Sequence, residues 1–307
     1  VEEVIAWALA VYPIDLDRIY AYGFSMGGGN ALNYAARHLD RARGTFAALV
    51  NHTGTVCLTD EYQNALSPAT LRPVLEGLFG GTPATHRFEY LRSSVLDLDA
   101  ESDVVLDGDY TAVNLAHVPM QSWFANGDPQ VQLVRQARRL DALMALVPGA
   151  DHRLVEVASN LHRWDTLDEF IVCEWFAMQS LALPRGGELR VDRSGKYLAL
   201  ELTVAATDRF ARLYHDARPE RFSLTRTSNL VEARLSAAEA GLDPTRVPFE
   251  VLVDTADGAA DRIVISGFTR APGAALRDGV AVTQGFSYDG GMQVLTIEDP
   301  DGGTHLW

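Results

Sequence analysis

Asp17-Arg18-Ile19-Tyr20-Ala21-Tyr22 runs directly into Gly23-Phe24-Ser25-Met26-Gly27-Gly28, and a helical pattern follows over Asn30 to Leu39. The first run is β-branched and aromatic, which is the composition of a strand. The G-x-S-x-G after it has the spacing of a sharp strand-to-helix turn with a serine at its apex. Such a turn exposes the hydroxyl at the carboxyl end of a strand and the amino end of a helix. Without those neighbours the motif is only a Gly-rich turn with an incidental serine. With them, Ser25 is a candidate nucleophile. Gly23 and Gly27 are both expected to be required, because a side chain at either would collide with neighbouring backbone.

A serine nucleophile needs a base, and the base needs an orienting carboxylate. In an open α/β sheet, ligands meet the carboxyl ends of the parallel strands, so each partner should follow a strand. Pro119 to Ala125 reads as a buried strand, Asn126-Gly127-Asp128-Pro129 breaks it, and a helix starts near Val131. Asp128 is thus placed to orient a base, although an aspartate there also suits an ordinary turn or helix cap. Two histidines compete for the base. His152 precedes the strand-like run Arg153 to Val157 and belongs at the wrong end of the sheet, whereas His162 follows that run. The other histidines read as surface or packing residues, with His52 reserved as a possible pocket residue beside Asn51 and Thr53.

The phrases Asp17 to Gly28, Leu115 to Val131 and His162-Arg163-Trp164-Asp165 together resemble the α/β-hydrolase superfamily. Within it they resemble polyhydroxyalkanoate depolymerase-like esterases and the catalytic domain of prolyl oligopeptidase. The resemblance implies a mostly parallel sheet with helices on both faces over residues 1–183. It implies a triad of Ser25, Asp128 and His162, in the chain order usual for that superfamily, and an ester or peptide substrate. It also implies an oxyanion hole with one donor at the Met26 backbone N–H and a second on a loop after an earlier strand. No such loop precedes Val1 to Ala10, a run that resembles the helix ahead of the nucleophile strand. The expectation is therefore of an N-terminally incomplete hydrolase whose second donor is missing from this chain. Phe24, His52, Thr53 and Trp164 are the expected pocket residues, and the irregular segment from Cys57 onward is expected to cover the site.

A formal charge of −15 over 307 residues argues against nucleic acid or an anionic membrane surface as partner. No apolar stretch is long enough to span a membrane. Two cysteines, Cys57 and Cys173, cannot build a disulfide framework, and Cys173 reads as an inert core residue of an apolar helix. No metal-ligand spacing is present, so neither a metal nor another cofactor is implied. The acidic string Asp97, Asp99, Glu101, Asp103, Asp107 and Asp109 lacks the spacing of a calcium loop and reads as a solvated loop. The compartment stays open, because the authentic amino terminus is expected upstream.

From Leu183 onward the chain changes character. Short alternating runs (Glu188 to Val191, Tyr197 to Val204, Phe249 to Val253, Arg262 to Ile265, Val280 to Thr283, Met292 to Ile297) are separated by turn residues. They point to a small β-rich, sandwich-like domain over 184–307. The expected whole is an α/β protein, a partial α/β-hydrolase followed by that domain. The expected activity is a serine hydrolase acting on a small ester or polyester. A serine peptidase is the alternative, and a non-catalytic binding protein built on a hydrolase relic is the alternative of another class.

Overall fold

The computed structural model describes residues 1–99, 101–102, 104–106, 110–258, 261–299 and 303–307. Two compact units divide the chain, Val1–Ala182 and Leu183–Trp307.

In the first unit, helix α1 (Glu2–Val11) precedes strand β1 (Tyr20–Phe24), helix α2 (Met26–Arg37) and strand β2 (Ala48–His52). Three helices follow, α3 (Leu58–Asn64), α4 (Pro68–Phe79) and α5 (Arg87–Arg92). Strand β3 (Met120–Ala125), helix α6 (Val131–Met144), strand β4 (His152–Val157) and helix α7 (Glu169–Ala177) complete it. The four strands form one sheet in the order β1-β2-β3-β4, every neighbouring pair parallel. All four carboxyl ends therefore lie on one edge, where Ser25, His52, Asp128 and His162 follow or end their strands.

Adjacent strand residues point to opposite faces, and the core shows it. Leu49 and Met120 pack with Leu32 and Ala35 of α2 and Leu140 and Met144 of α6. Val50 and Trp123 pack on the other face with Val172, Trp175 and Phe176 of α7. β2 and β3 are buried throughout, as strands covered on both faces are. β1 ends the sheet and is only half-buried.

The apolar run from Trp164 to Leu181 has a helical pattern throughout, but only part of it is helix. Trp164–Thr166 is a single 3-10 turn, and α7 begins at Glu169 with the Asp168 side chain accepting from Phe170 N–H at 2.9 Å. Cys173 is exposed, which corrects its assignment to the core. α7 is apolar all round, and only Val172 of it is buried, so composition could not tell its inner face from its outer one. Asp97 also departs from its reading as solvated: it is buried and pairs with Arg87 at 2.5 Å. Asp103, Asp107 and Asp109 lie outside the described residues. No described helix is long and apolar enough to cross a membrane.

The second unit is built of strands β5 (Gly186–Val191), β6 (Gly195–Tyr197), β7 (Leu200–Val204), β8 (Ala211–Arg218), β9 (Arg221–Ser228) and β10 (Leu230–Ser236). A one-turn helix, α8 (Ala237–Ala240), leads to β11 (Glu250–Thr255), β12 (Asp261–Ser266), β13 (Ala275–Arg277), β14 (Val280–Val282), β15 (Phe286–Asp289), β16 (Val294–Asp299) and β17 (Thr304–Leu306). They form a six-stranded sheet in the order β15-β16-β12-β10-β7-β6, a five-stranded sheet in the order β17-β11-β9-β8-β5, and the β13-β14 ribbon. Strict alternation of buried and open positions along β7, β8 and β11 marks a single buried face.

Candidate active site

Ser25 sits between β1 and α2 with φ 54° and ψ −124°, a conformation that residues with a side chain rarely adopt. Its backbone is tied on both sides. Its N–H donates to His52 O at 2.9 Å, and its carbonyl accepts from Gly28 and Gly29 N–H at 3.0 and 3.2 Å. Its side chain makes no cap hydrogen bond to α2, which leaves the hydroxyl for another partner.

The glycines that permit this turn are not the pair expected. A Cβ on Gly23 would lie 2.1 Å from the Gly27 carbonyl oxygen, and one on Gly28 would lie 2.5 Å from Asn51 Oδ1 and 2.9 Å from Gly23 O. A Cβ on Gly27 would meet nothing within 4 Å. The turn presses Gly23 and Gly28 inward and leaves Gly27 facing out, so the motif's last glycine is not sterically required.

The loops after β3 and β4 are joined backbone to backbone. Asn126 N–H donates to Val157 O at 3.0 Å and Gly127 N–H to Ser159 O at 2.9 Å. Gly127 is close enough to this neighbour that a Cβ would sit 2.9 Å from Ser159 O. This pairing brings Asp128 to His162. Asp128 Oδ1 accepts from Gln130 N–H at 2.8 Å, and Oδ2 accepts from His162 Nδ1 at 2.8 Å. His162 Nε2 lies 3.0 Å from Ser25 Oγ. A carboxylate only accepts, so Nδ1 carries the proton, and Nε2 offers its lone pair to the Ser25 O–H. Phe24 packs on the imidazole with ring centroids 4.7 Å apart.

His152, the competing base, opens β4 at the opposite edge of the sheet. It is 3.0 Å from Ser122 Oγ and 3.1 Å from Asp141, and burial lowers its pKa below the usual histidine value. It ties β3, β4 and α6 together and does not approach Ser25.

Of the expected pocket residues, Trp164 is 44% exposed and packs on Tyr22 at 4.4 Å. Its indole N–H donates to Glu169. Phe24 is half-buried beside His162. His52 and Thr53 are 1% and 2% exposed, so they lie beneath the surface and do not line an open pocket. Their position is set by Thr53 N–H, which donates to Trp123 O at 2.7 Å and draws the end of β2 under the β3 edge. Burial pushes the His52 ring down to about 4, with repulsion from His162 adding to it and Asp128 opposing.

Met26 is the first residue of α2. Its N–H and that of Gly27 precede the hydrogen bonds that Gly28 and Gly29 make to Ser25 O, and the helix dipole makes that end favourable for negative charge. The arrangement is therefore a hydroxyl, an imidazole and a carboxylate in line, beside a helix end suited to an anion. A cleft of about 520 Å³ is lined by Asp128 together with Asn126, Val131, Val134, Arg135, Arg138 and Arg139.

No protein family matches the chain, and no curated protein matches it. Among solved structures, it is similar to a ferulic acid esterase, with 19% identity over 57% of each chain and a TM-score of 0.36. It is similar to the acylaminoacyl peptidase of Pyrococcus horikoshii, with 19% identity over 52% of this chain and 22% of that one and a TM-score of 0.37. A third is the S-formylglutathione hydrolase of Staphylococcus aureus, with 15% identity over 57% of this chain and 61% of that one and a TM-score of 0.34. The chain thus spans less than two thirds of the length of each. The first unit is a parallel sheet with helices on both faces and a strand-serine-helix turn at the carboxyl end of β1, followed in sequence by the β-rich unit.

Proposed function

We propose that the first unit is a serine hydrolase that cleaves an ester bond through an acyl-enzyme. Ser25 Oγ attacks the carbonyl carbon while His162 Nε2 takes the hydroxyl proton. Asp128 holds the ring by Nδ1–H and stabilises its cationic form. The negative charge on the carbonyl oxygen falls to the Met26 N–H and the start of α2, where one such donor contributes roughly 10²–10³ in rate. His162 then returns its proton to the leaving alcohol, and a water activated by the same imidazole releases the acid.

The observation that carries this reading is the pair of contacts at His162, 2.8 Å to Asp128 and 3.0 Å to Ser25, together with the positive φ of Ser25. Backbone strain of this kind collects at functional sites. The test is a fluorophosphonate probe read by peptide mass spectrometry. The probe is expected on Ser25 alone and on no residue of Ser25→Ala. Equal labelling of wild type and Ser25→Ala rejects the reading. Turnover of p-nitrophenyl esters against peptide p-nitroanilides then separates an esterase from a peptidase.

A further inference from the structure

We infer that His52 is a positioning residue that sets the approach of His162 to Ser25. The inference rests on the reading of Ser25, Asp128 and His162 as an acyl-transfer site. His52 is joined to the nucleophile turn directly and to the backbone beside His162 through Thr166. Its backbone carbonyl accepts the Ser25 N–H at 2.9 Å, which fixes the nucleophile turn to β2. Its ring lies 2.8 Å, through Nε2, from Thr166 Oγ1, and Thr166 Oγ1 is itself 2.8 Å from the carbonyl oxygen of Arg163, the residue next to His162.

The directions of these hydrogen bonds follow from the inventory of donors. Thr166 has one O–H, and the Arg163 carbonyl can only accept, so that proton goes to Arg163. Thr166 Oγ1 then accepts, and His52 Nε2 must be the protonated nitrogen. His52 Nδ1 is left with a lone pair facing the Tyr22 hydroxyl at 3.3 Å, which donates to it. The result is a directed chain from Tyr22 of β1, through His52 of β2 and Thr166, to the backbone beside His162. The Phe24 ring, 4.9 Å from His52 and 4.7 Å from His162, fills the space between the two imidazoles. Every member is held by a strand or by a hydrogen bond, so the segment carrying His162 is tied to the two strands that carry the nucleophile. A neutral ring suits this role, because a cationic His52 would turn the Tyr22 hydroxyl from donor to acceptor and would repel the imidazolium formed at His162.

Two experiments on the full chain test it, and they fail separately. In ¹⁵N-histidine NMR, His52 is expected as the neutral Nε2–H tautomer, and the His162 ring signals are expected to move in both His52→Phe and Thr166→Val. Unmoved His162 signals overturn the inference, whatever the protein's activity. In fluorophosphonate labelling, each variant is expected to lose roughly 10–100-fold in rate, the cost of a misplaced catalytic group. The double variant should lose no more than either single one, since both break one chain. With an ester substrate the loss should fall on kcat and not on KM, and His52→Gln, which keeps an N–H donor, should recover much of it. Additive losses, or a fall in melting temperature with kcat retained, overturn the inference. If the NMR shifts appear but wild type is never labelled at Ser25, the positioning of His162 by His52 stands and the hydrolytic reading falls.

Discussion

A side-chain carbon on Gly28 would lie 2.5 Å from Oδ1 of the buried Asn51. The first turn of α2 therefore rests directly on the end of β2 and on Gly54 in the loop after it, whose Cα would lie 2.9 Å from the same carbon. Asn51 Oδ1 also accepts from Gly54 N–H at 2.9 Å, which holds that loop in place. The contact sorts the glycines of the motif. Gly23→Ala and Gly28→Ala are expected to lower stability by about 2–4 kcal/mol through overpacking and backbone displacement. Gly27→Ala, exposed and open, is expected to gain up to about 1 kcal/mol of helix propensity. Denaturant unfolding of the three variants checks this, and equal losses at all three sites would contradict it.

The proposed division of labour predicts unequal effects of two histidine substitutions. His162→Ala is expected to lower ester turnover by roughly 10³-fold or more, and Asp128→Asn by roughly 10³–10⁴-fold, because the members act as a unit. His152→Ala, at the other edge of the sheet, is expected to alter stability and to leave the rate of surviving folded protein within a few-fold of wild type. Rates normalised to folded protein provide the comparison.

Glu61, in α3, is buried, and that burial raises its carboxyl from 4.5 to about 7, with a hydrogen bond from Gln132 opposing. Its folded-state pKa is above its unfolded value, so the stability of the protonated form is complete below about 4.5 and is lost as the pH rises through about 7. Glu61→Gln removes the charge and keeps a carbonyl acceptor. It is expected to stabilise the protein at pH 8 by up to about 3 kcal/mol and to do little at pH 4.5. Unfolding free energies of both proteins across that range measure the difference. A gain independent of pH would show that the carboxylate is not the cause.

Apolar side chains of two helices face outward in the first unit. Trp7 of α1 is 57% exposed and Phe170 of α7 is 73% exposed, while among the described residues β1 ends the sheet with one edge unpaired. Exposed apolar side chains and a strand at the end of a sheet each promote association. The chain is expected to self-associate at micromolar concentration, and Trp7→Glu with Phe170→Glu to shift it toward monomer without lowering its melting temperature. Light scattering coupled to size exclusion reads the outcome. A monodisperse monomer in the unaltered chain would refute it.

The strand-serine-helix turn was legible because glycine, strand and helix signals stand side by side within a dozen residues. Asp128 and His162 were legible for a related reason: each follows a short apolar run, and position after a strand is a local property. The role of His52 was not. Its partners Tyr22 and Thr166 are distant in sequence, and no spacing marks a ring that works from beneath the surface. Most of β8, β9 and β10 also escaped reading. Arg212, His215, Asp216 and Arg218 in β8, and Arg226 in β9, disguise an alternation whose buried positions include His215 itself. Cys173 failed for the opposite reason, since apolar residues on every side of α7 give no clue to its inner face.

The φ of 54° at Ser25 has a consequence for how this position persists. Glycine takes that conformation freely, whereas a residue with a Cβ gives up about 1–2 kcal/mol to hold it. The molecule would thus be more durable with its hydroxyl deleted in favour of glycine. Selection for durability alone would empty the site within a single codon change. On the proposed reading, the serine is held against the preference of its own backbone, and the return on that cost is the chemistry it performs on another molecule.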